Sequence, residues 1–160
     1  LFGPDHNLAE YVQEKTGKTI IPIPERGFCP THLLFHPEDV QAIKARFPDA
    51  VAMVHPECTA EMRRIADFIG STSQMCKYAR DSAAKTFIVA TEEGLIHRLK
   101  KENPNKEFYP PPSALCPNMK KITIEKVVQS LEQKIYPVKI DAGLRERAYE
   151  PIKKMLELGR

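Results

Sequence analysis

Residues 51–69 read VAMVHPECTAEMRRIADFI. Val51–Val54 is a short continuous apolar run, the pattern of a strand buried on both faces. His55-Pro56-Glu57 ends it, because a proline fixes its own φ and brings no amide hydrogen to a ladder. Thr59 suits a helix N-cap, and Met62, Ile65 and Ala66 then recur at helical spacing. Phe68-Ile69 is apolar again. Strand, helix and strand in immediate succession predict a βαβ unit with parallel strands, and so a layered α/β fold.

The same alternation runs outward in both directions. Thr19–Ile23, Phe87–Ala90 and Glu107–Tyr109 are further strand candidates. Helical spacing marks Leu8, Tyr11, Val12 and Lys15, and again Val40, Ile43 and Phe47 behind Pro37, a residue suited to a first helical turn. Ser73–Arg80 and Glu93–Lys101 supply two more helices, and Thr123 caps another that carries Val127, Val128 and Leu131. The tail predicts a terminal helix through Leu144, Ala148, Ile152 and Met155, kinked at Pro151.

Composition narrows the function classes. With 42% hydrophobic and 28% charged residues the chain can bury a sizeable core. A net charge of +3, with lysines spread along helices, gives no basic and aromatic stripe for nucleic acid. No apolar run approaches the roughly 20 residues that span a bilayer, and no signal peptide opens the chain. The expectation is a cytoplasmic protein that binds neither nucleic acid nor membrane.

GFCPTH at 27–32 and ALCPNM at 114–119 place Cys29-Pro30 and Cys116-Pro117 87 residues apart. Shifting the chain by that length without a gap sets Asp5 over Glu92, Leu8 over Leu95, Phe35 over Ile122, Glu38 over Glu125 and Val40 over Val127. The period is too long for a solenoid unit and predicts a duplicated small domain. Residues 1–29 then end one α/β repeat, 30–116 form a complete one, and 117–160 follow as a helical segment packing on a remaining repeat. Leu1 falls in the middle of a repeat, so the expectation is the C-terminal part of a longer polypeptide. Cys58 and Cys76 read as buried thiols, whereas Cys29 and Cys116, at equivalent repeat positions, can share one cofactor.

Ligands of open parallel sheets gather at the carboxyl ends of the strands. His55-Pro56-Glu57 sits there, either as a turn with a capping carboxylate or as an imidazole and acid that hold an anionic substrate and move protons. Ser71-Thr72-Ser73 opens a helix, where hydroxyls and amides either cap or bind carboxylate or phosphate. His32 follows Cys29 by three residues. Glu92-Glu93 fits helix capping alone. Two alternatives stay open on these residues: a non-catalytic dicarboxylate-binding module using His55 and Thr72, and a mononuclear zinc site of Cys29, His32 and Cys116.

GPDHNLAEYVQEKTGK, GFCPTH, MVHPEC, ADFIGSTSQM, TEEGLIHRLKKENPNKEFYP and CPNMKKIT, in this order, resemble the quinolinate synthase family over essentially the whole chain. The resemblance implies three similar α/β domains about a pseudo-threefold axis, each giving one cysteine to a single [4Fe–4S] cluster. Cys29 and Cys116 match two of those metal ligands, and the third is expected in the N-terminal half of the same enzyme, so this chain alone is expected to be inactive. It further implies condensation of iminoaspartate with dihydroxyacetone phosphate to quinolinate, phosphate and water, in NAD biosynthesis. On that resemblance His55, Pro56, Glu57 and Thr72 bind the iminoaspartate-derived part, with Ser71 and His32 as neighbours and Met119 near the cluster. Glu57, with His55, is the candidate acid/base. Only Cys116 follows residue 76 among the cysteines, so the closely spaced extra cysteines that some members pair as a disulfide are not expected.

Overall fold

The computed structural model of the chain describes residues 1–159, which fall into two compact units, Leu1–Pro117 and the stretch from Asn118 onward. In the first, β1 (Val51–Val54), β2 (Phe68–Ile69), β3 (Thr86–Ala90) and β4 (Glu107–Tyr109) form a four-stranded sheet in spatial order β2-β1-β3-β4. Every pairing is parallel, with Val54 opposite both Ile69 and Ala90. The α/β class expected from the alternation is what the chain adopts.

Side chains of β1 and β3 part strictly by pleat. Ala52, Val54, Ile88 and Ala90 enter one core with Phe35, Val40 and Met62. Met53, Phe87 and Val89 enter the other, with Met75, Cys76, Ala79 and Leu99. The first core is covered by α2 (Pro37–Arg46) and α3 (Ala60–Arg64), the second by α4 (Thr72–Asp81) and α5 (Gly94–Glu102). Period-two alternation is how one strand serves two helical layers. Because the chain leaves β1 for β2 on one side and returns to β3 on the other, the strand order reverses between β1 and β3. Such a reversal opens a crevice beyond the carboxyl ends of the strands.

One expected strand does not form. Within Thr19–Ile23 only Pro22 makes a bridge, to Phe2, supported by Phe2 N–H to Ile21 O and Ile23 N–H to Phe2 O. Pro22 and Pro24 bring no amide hydrogens, and Ile21 and Ile23 remain more than half exposed.

Local structure repeats at the spacing of the two Cys-Pro pairs. α1 (His6–Thr16) is followed by a 3-10 turn at His32–Leu34 and then α2; α5 is followed by a 3-10 turn at Met119–Lys121 and then α6 (Ile124–Gln133). The turns and the helices behind them have identical bounds after the 87-residue shift. So do three loop hydrogen bonds. His6 N–H to Gly27 O (2.7 Å) corresponds to Glu93 N–H to Ala114 O (2.8 Å). Gly27 N–H to Pro24 O corresponds to Ala114 N–H to Pro111 O, and Leu34 N–H to Thr31 O corresponds to Lys121 N–H to Asn118 O.

The second unit holds α6, capped by Thr123, and α7 (Ala142–Leu158), a helix with Pro151 inside it. Neither helix has a buried residue. Among the described residues no helix is long and apolar enough to cross a membrane.

Candidate active site

Two stacked imidazoles lie beyond the carboxyl ends of β1 and β3. His55 leaves the end of β1, its amide donating to Ala90 O of β3 at 3.2 Å. His32 arrives from the 3-10 turn behind Cys29, and the two rings lie 4.4 Å apart at 9°. His32 is the pivot. Its Nδ1 meets Glu57 Oε2 at 3.0 Å and its Nε2 meets Thr91 Oγ1 at 3.0 Å, with only 7% of the residue exposed. Thr91 follows β3 directly, so the ends of both central strands grip one ring.

These contacts fix the protons within narrow choices. A neutral His32 that gives Nδ1–H to an ionised Glu57 accepts the Thr91 hydroxyl at Nε2. If Glu57 holds a proton, the carboxyl donates to Nδ1 and Nε2–H donates to Thr91. Either arrangement satisfies all three groups with a neutral ring, so the site accommodates Glu57 with or without its proton without moving a heavy atom. His55 Nδ1 accepts the Glu57 amide at 3.3 Å, which leaves the proton of its neutral ring on Nε2 as a donor for a ligand.

Burial sets the charges. Desolvation pushes His32 down to about 4, with Asp5 partly opposing it, and pushes His55 down to about 4, helped by His32. Both rings are therefore neutral at pH 7. Burial raises the Glu57 carboxyl above the ordinary range, with His55 opposing that shift. A carboxyl moved toward neutrality is suited to give and take protons.

A shell of α1 residues holds the loops. Asp5, 3% exposed, accepts Leu8 N–H with Oδ1 as the cap of α1 and Cys29 N–H with Oδ2. Asn7 donates to Glu57 O at 2.9 Å. Arg63, buried, donates to Asn7 O and Cys58 O and pairs with Glu10 and Glu14. Thr91, Asp5, Asn7 and Arg63 escape the sequence reading. Thr91 alone had a signal, because it stands after an apolar strand as His55 does.

Other expected residues fall less centrally. Ser71 and Thr72 stand at the end of β2, the strand beside β1, but Ser71 is engaged in a capping box with Gln74. Pro56 is buried in the turn between the two acid/base candidates. The metal-type donors that come together are Cys29, His32 and Glu57, with ligand atoms all within 4.8 Å of one another. Cys116 is not among them, so the set Cys29, His32 and Cys116 does not form a compact zinc site.

Comparison with known proteins identifies the family. A family model described as Quinolinate synthetase A protein matches residues 1–157. Quinolinate synthase of Thermotoga maritima is 46% identical over 158 residues, covering 99% of this chain. The chain belongs to the quinolinate synthase family.

Quinolinate synthases of Thermodesulfovibrio yellowstonii and Sulfurisphaera tokodaii are 44% and 43% identical, again across 99% of the chain. The alignments cover 52–53% of those relatives and of the Thermotoga protein. The chain thus spans about half the length of the curated relatives it matches.

Proposed function

We propose that this chain provides the second and third cluster ligands and the central acid/base apparatus of a quinolinate synthase. The activity is condensation of iminoaspartate with dihydroxyacetone phosphate, giving quinolinate, phosphate and water for NAD biosynthesis. The observation that carries the reading is the linked set Glu57, His32 and Thr91, stacked under His55 at the strand-order reversal and next to Cys29.

The four cysteines differ in fitness for a cluster. Cys29 and Cys116 are half-buried on loops, whereas Cys58 and Cys76 are buried. Burial pushes the Cys58 thiol up to about 12, and its S–H lies on Ala90 O, the reverse of a metal-binding thiolate. Cys29 and Cys116 would hold the cluster together with a third cysteine from the N-terminal half of the enzyme. When bound, such a three-thiolate cluster supplies one Lewis-acidic iron position.

The remaining work falls to the residues of this chain. His55 Nε2–H orients a carboxylate of the iminoaspartate-derived part, and Thr72, at the first turn of α4, binds the same part from the neighbouring strand end. Ser71 and Pro56 shape the two turns. Glu57 takes a proton from substrate carbon during tautomerisation and returns one to the hydroxyl that leaves as water. His32 steadies its charge through Nδ1. Residues 1–29 are taken as the end of the second repeat about a pseudo-threefold axis, 30–116 as the complete third, and 117–160 as a helical segment packing on the remaining repeat. The repeated turns and helices support this, as do the exposed apolar side chains of α6 and α7. That surface is offered to the N-terminal half, without which we expect the chain to be inactive.

The test is iron and sulfide content of anaerobic full-length variants. Cys29→Ser and Cys116→Ser each lose the cluster, because serine oxygen poorly replaces a soft ligand, while Cys58→Ser and Cys76→Ser keep it. Retention of a full cluster in Cys29→Ser refutes the assignment.

A further inference from the structure

We propose that Cys29, His32 and Glu57 form, in protein without a cluster, a binding site for one divalent cation of the zinc class. Such a cation and the cluster would exclude one another, a consequence that rests on the cluster reading above.

Three observations point to it. First, thiol sulfur, imidazole nitrogen and carboxylate oxygen converge within 4.8 Å. A soft thiolate and an intermediate imidazole beside one hard carboxylate suit zinc better than magnesium or calcium, which take oxygen alone. Three protein ligands also leave a fourth, solvent-filled position. Second, the spacing is nearly closed already. Donors bound to one tetrahedral zinc ion lie roughly 3.3 Å apart for nitrogen and oxygen, and His32 Nδ1 and Glu57 Oε2 stand at 3.0 Å. The ion takes the place of the proton between them: a ring that carried it on Nδ1 shifts it to Nε2, facing Thr91, a protonated Glu57 gives it to solvent, and the Cys29 thiol gives its own proton to solvent as it binds.

Third, each ligand has an outer support of the kind seen behind zinc ligands. The far nitrogen of His32 is held by Thr91 Oγ1 in a buried contact. Asp5 fixes the Cys29 loop through its amide, and Asn7 fixes the Glu57 backbone. Asp5 is not itself a fourth ligand, since Leu8 N–H and Cys29 N–H occupy its two oxygens. A metal seated here takes Cys29 away from any cluster, so a zinc-loaded molecule accepts iron and sulfide only after the zinc is removed.

Cobalt(II) is the probe, titrated anaerobically into cluster-free full-length protein. One equivalent should give tetrahedral visible bands and a thiolate-to-cobalt charge-transfer band, both abolished by zinc. The charge-transfer band vanishes in Cys29→Ser. His32→Asn, Glu57→Gln and the outer-support variant Thr91→Val each weaken binding by about 10-fold or more. Cys116→Ser binds as the wild type does, although it cannot hold a cluster. A band lost in Cys116→Ser, or affinity unchanged in both His32→Asn and Thr91→Val, overturns the site. Circular dichroism on each variant identifies one that fails to fold, and Thr91→Val, which keeps the side-chain shape, then decides. If wild-type protein binds cobalt as described but never assembles a cluster, the cluster reading falls and this site stands.

Discussion

Phe35 and Ile122 close equivalent 3-10 turns behind equivalent Cys-Pro pairs, yet Phe35 is 1% exposed and Ile122 is 72%. Five residues on, inside ten-residue helices of matching bounds, Val40 is 1% exposed and Val127 is 41%. The frame is the same and the packing is not. Turn hydrogen bonds and caps are local, so they form wherever the residues recur. Burial depends on what lies across from the helix. For Phe35 and Val40 that is β1, β3 and α3, which supply Ala52, Val54, Ile88, Ala90 and Met62. The second copy has the apolar side chains for the same role and nothing among the described residues that buries them.

Truncating the two equivalent residues is the largest test of that contrast. Phe35→Ala opens a cavity in a packed core and should cost about 3–5 kcal/mol, read as a shift in denaturant midpoint. Ile122→Ala in the same 160-residue chain should change stability by no more than about 0.5 kcal/mol. In protein that includes the N-terminal half, the same change should cost about 2 kcal/mol or more, because a partner surface then covers the site. Equal, small costs in both settings would remove the argument that α6 awaits a partner.

The two copies also differ in chemistry at one place. Where the first turn carries His32 the second carries Met119, which is 58% exposed. Writing the second copy into the first, His32→Met, breaks the link from Glu57 to Thr91. Full-length His32→Met should lose turnover by about 10²-fold, as should Glu57→Gln, the usual scale for a proton-transfer group. Iron content should stay near normal in both. A His32→Met enzyme with near-normal turnover would reduce the ring to packing.

What was legible in the sequence follows the range of the interaction. β1 and β2 could be read because short apolar runs are punctuated by local signals, His55-Pro56 after one and Gly70-Ser71 after the other. Thr19–Ile23 matches a strand in its apolar residues, but Pro22 within it and Pro24 after it bring no ladder donors. His55 and Glu57 were found as a strand-end pair. The central position of His32 was not, because it depends on contacts 25 and 59 residues away, to Glu57 and Thr91. No short pattern records those distances. Ser71 carries a local signal instead, the capping box with Gln74 that its sequence position predicts.

The smallest expected effect is on stability between pH 7 and about 4, where the stacked imidazoles beside the first copy's turn titrate. The folded protein holds His32 near 4, below the ordinary 6.5, because burial disfavours the charged ring. Below pH 6.5 the unfolded chain therefore takes up a proton that the folded chain refuses, and folding weakens as pH falls toward about 4. Under pH 4 both states are protonated and the slope disappears. His55, also held near 4, adds a second contribution of the same sign. Glu57 acts in the opposite sense, since its raised carboxyl binds protons more readily in the folded state. The net loss between pH 7 and 5 should be on the order of 1–2 kcal/mol, measured as the fall in urea midpoint with pH. His32→Met should remove at least half of that slope, leaving the His55 contribution less that of Glu57. A substitution in the second copy, Met119→Ala, should leave it unchanged. If the slope survives intact in His32→Met, the acid sensitivity lies outside the stacked pair, and the chemical contrast between the two copies does not extend to stability.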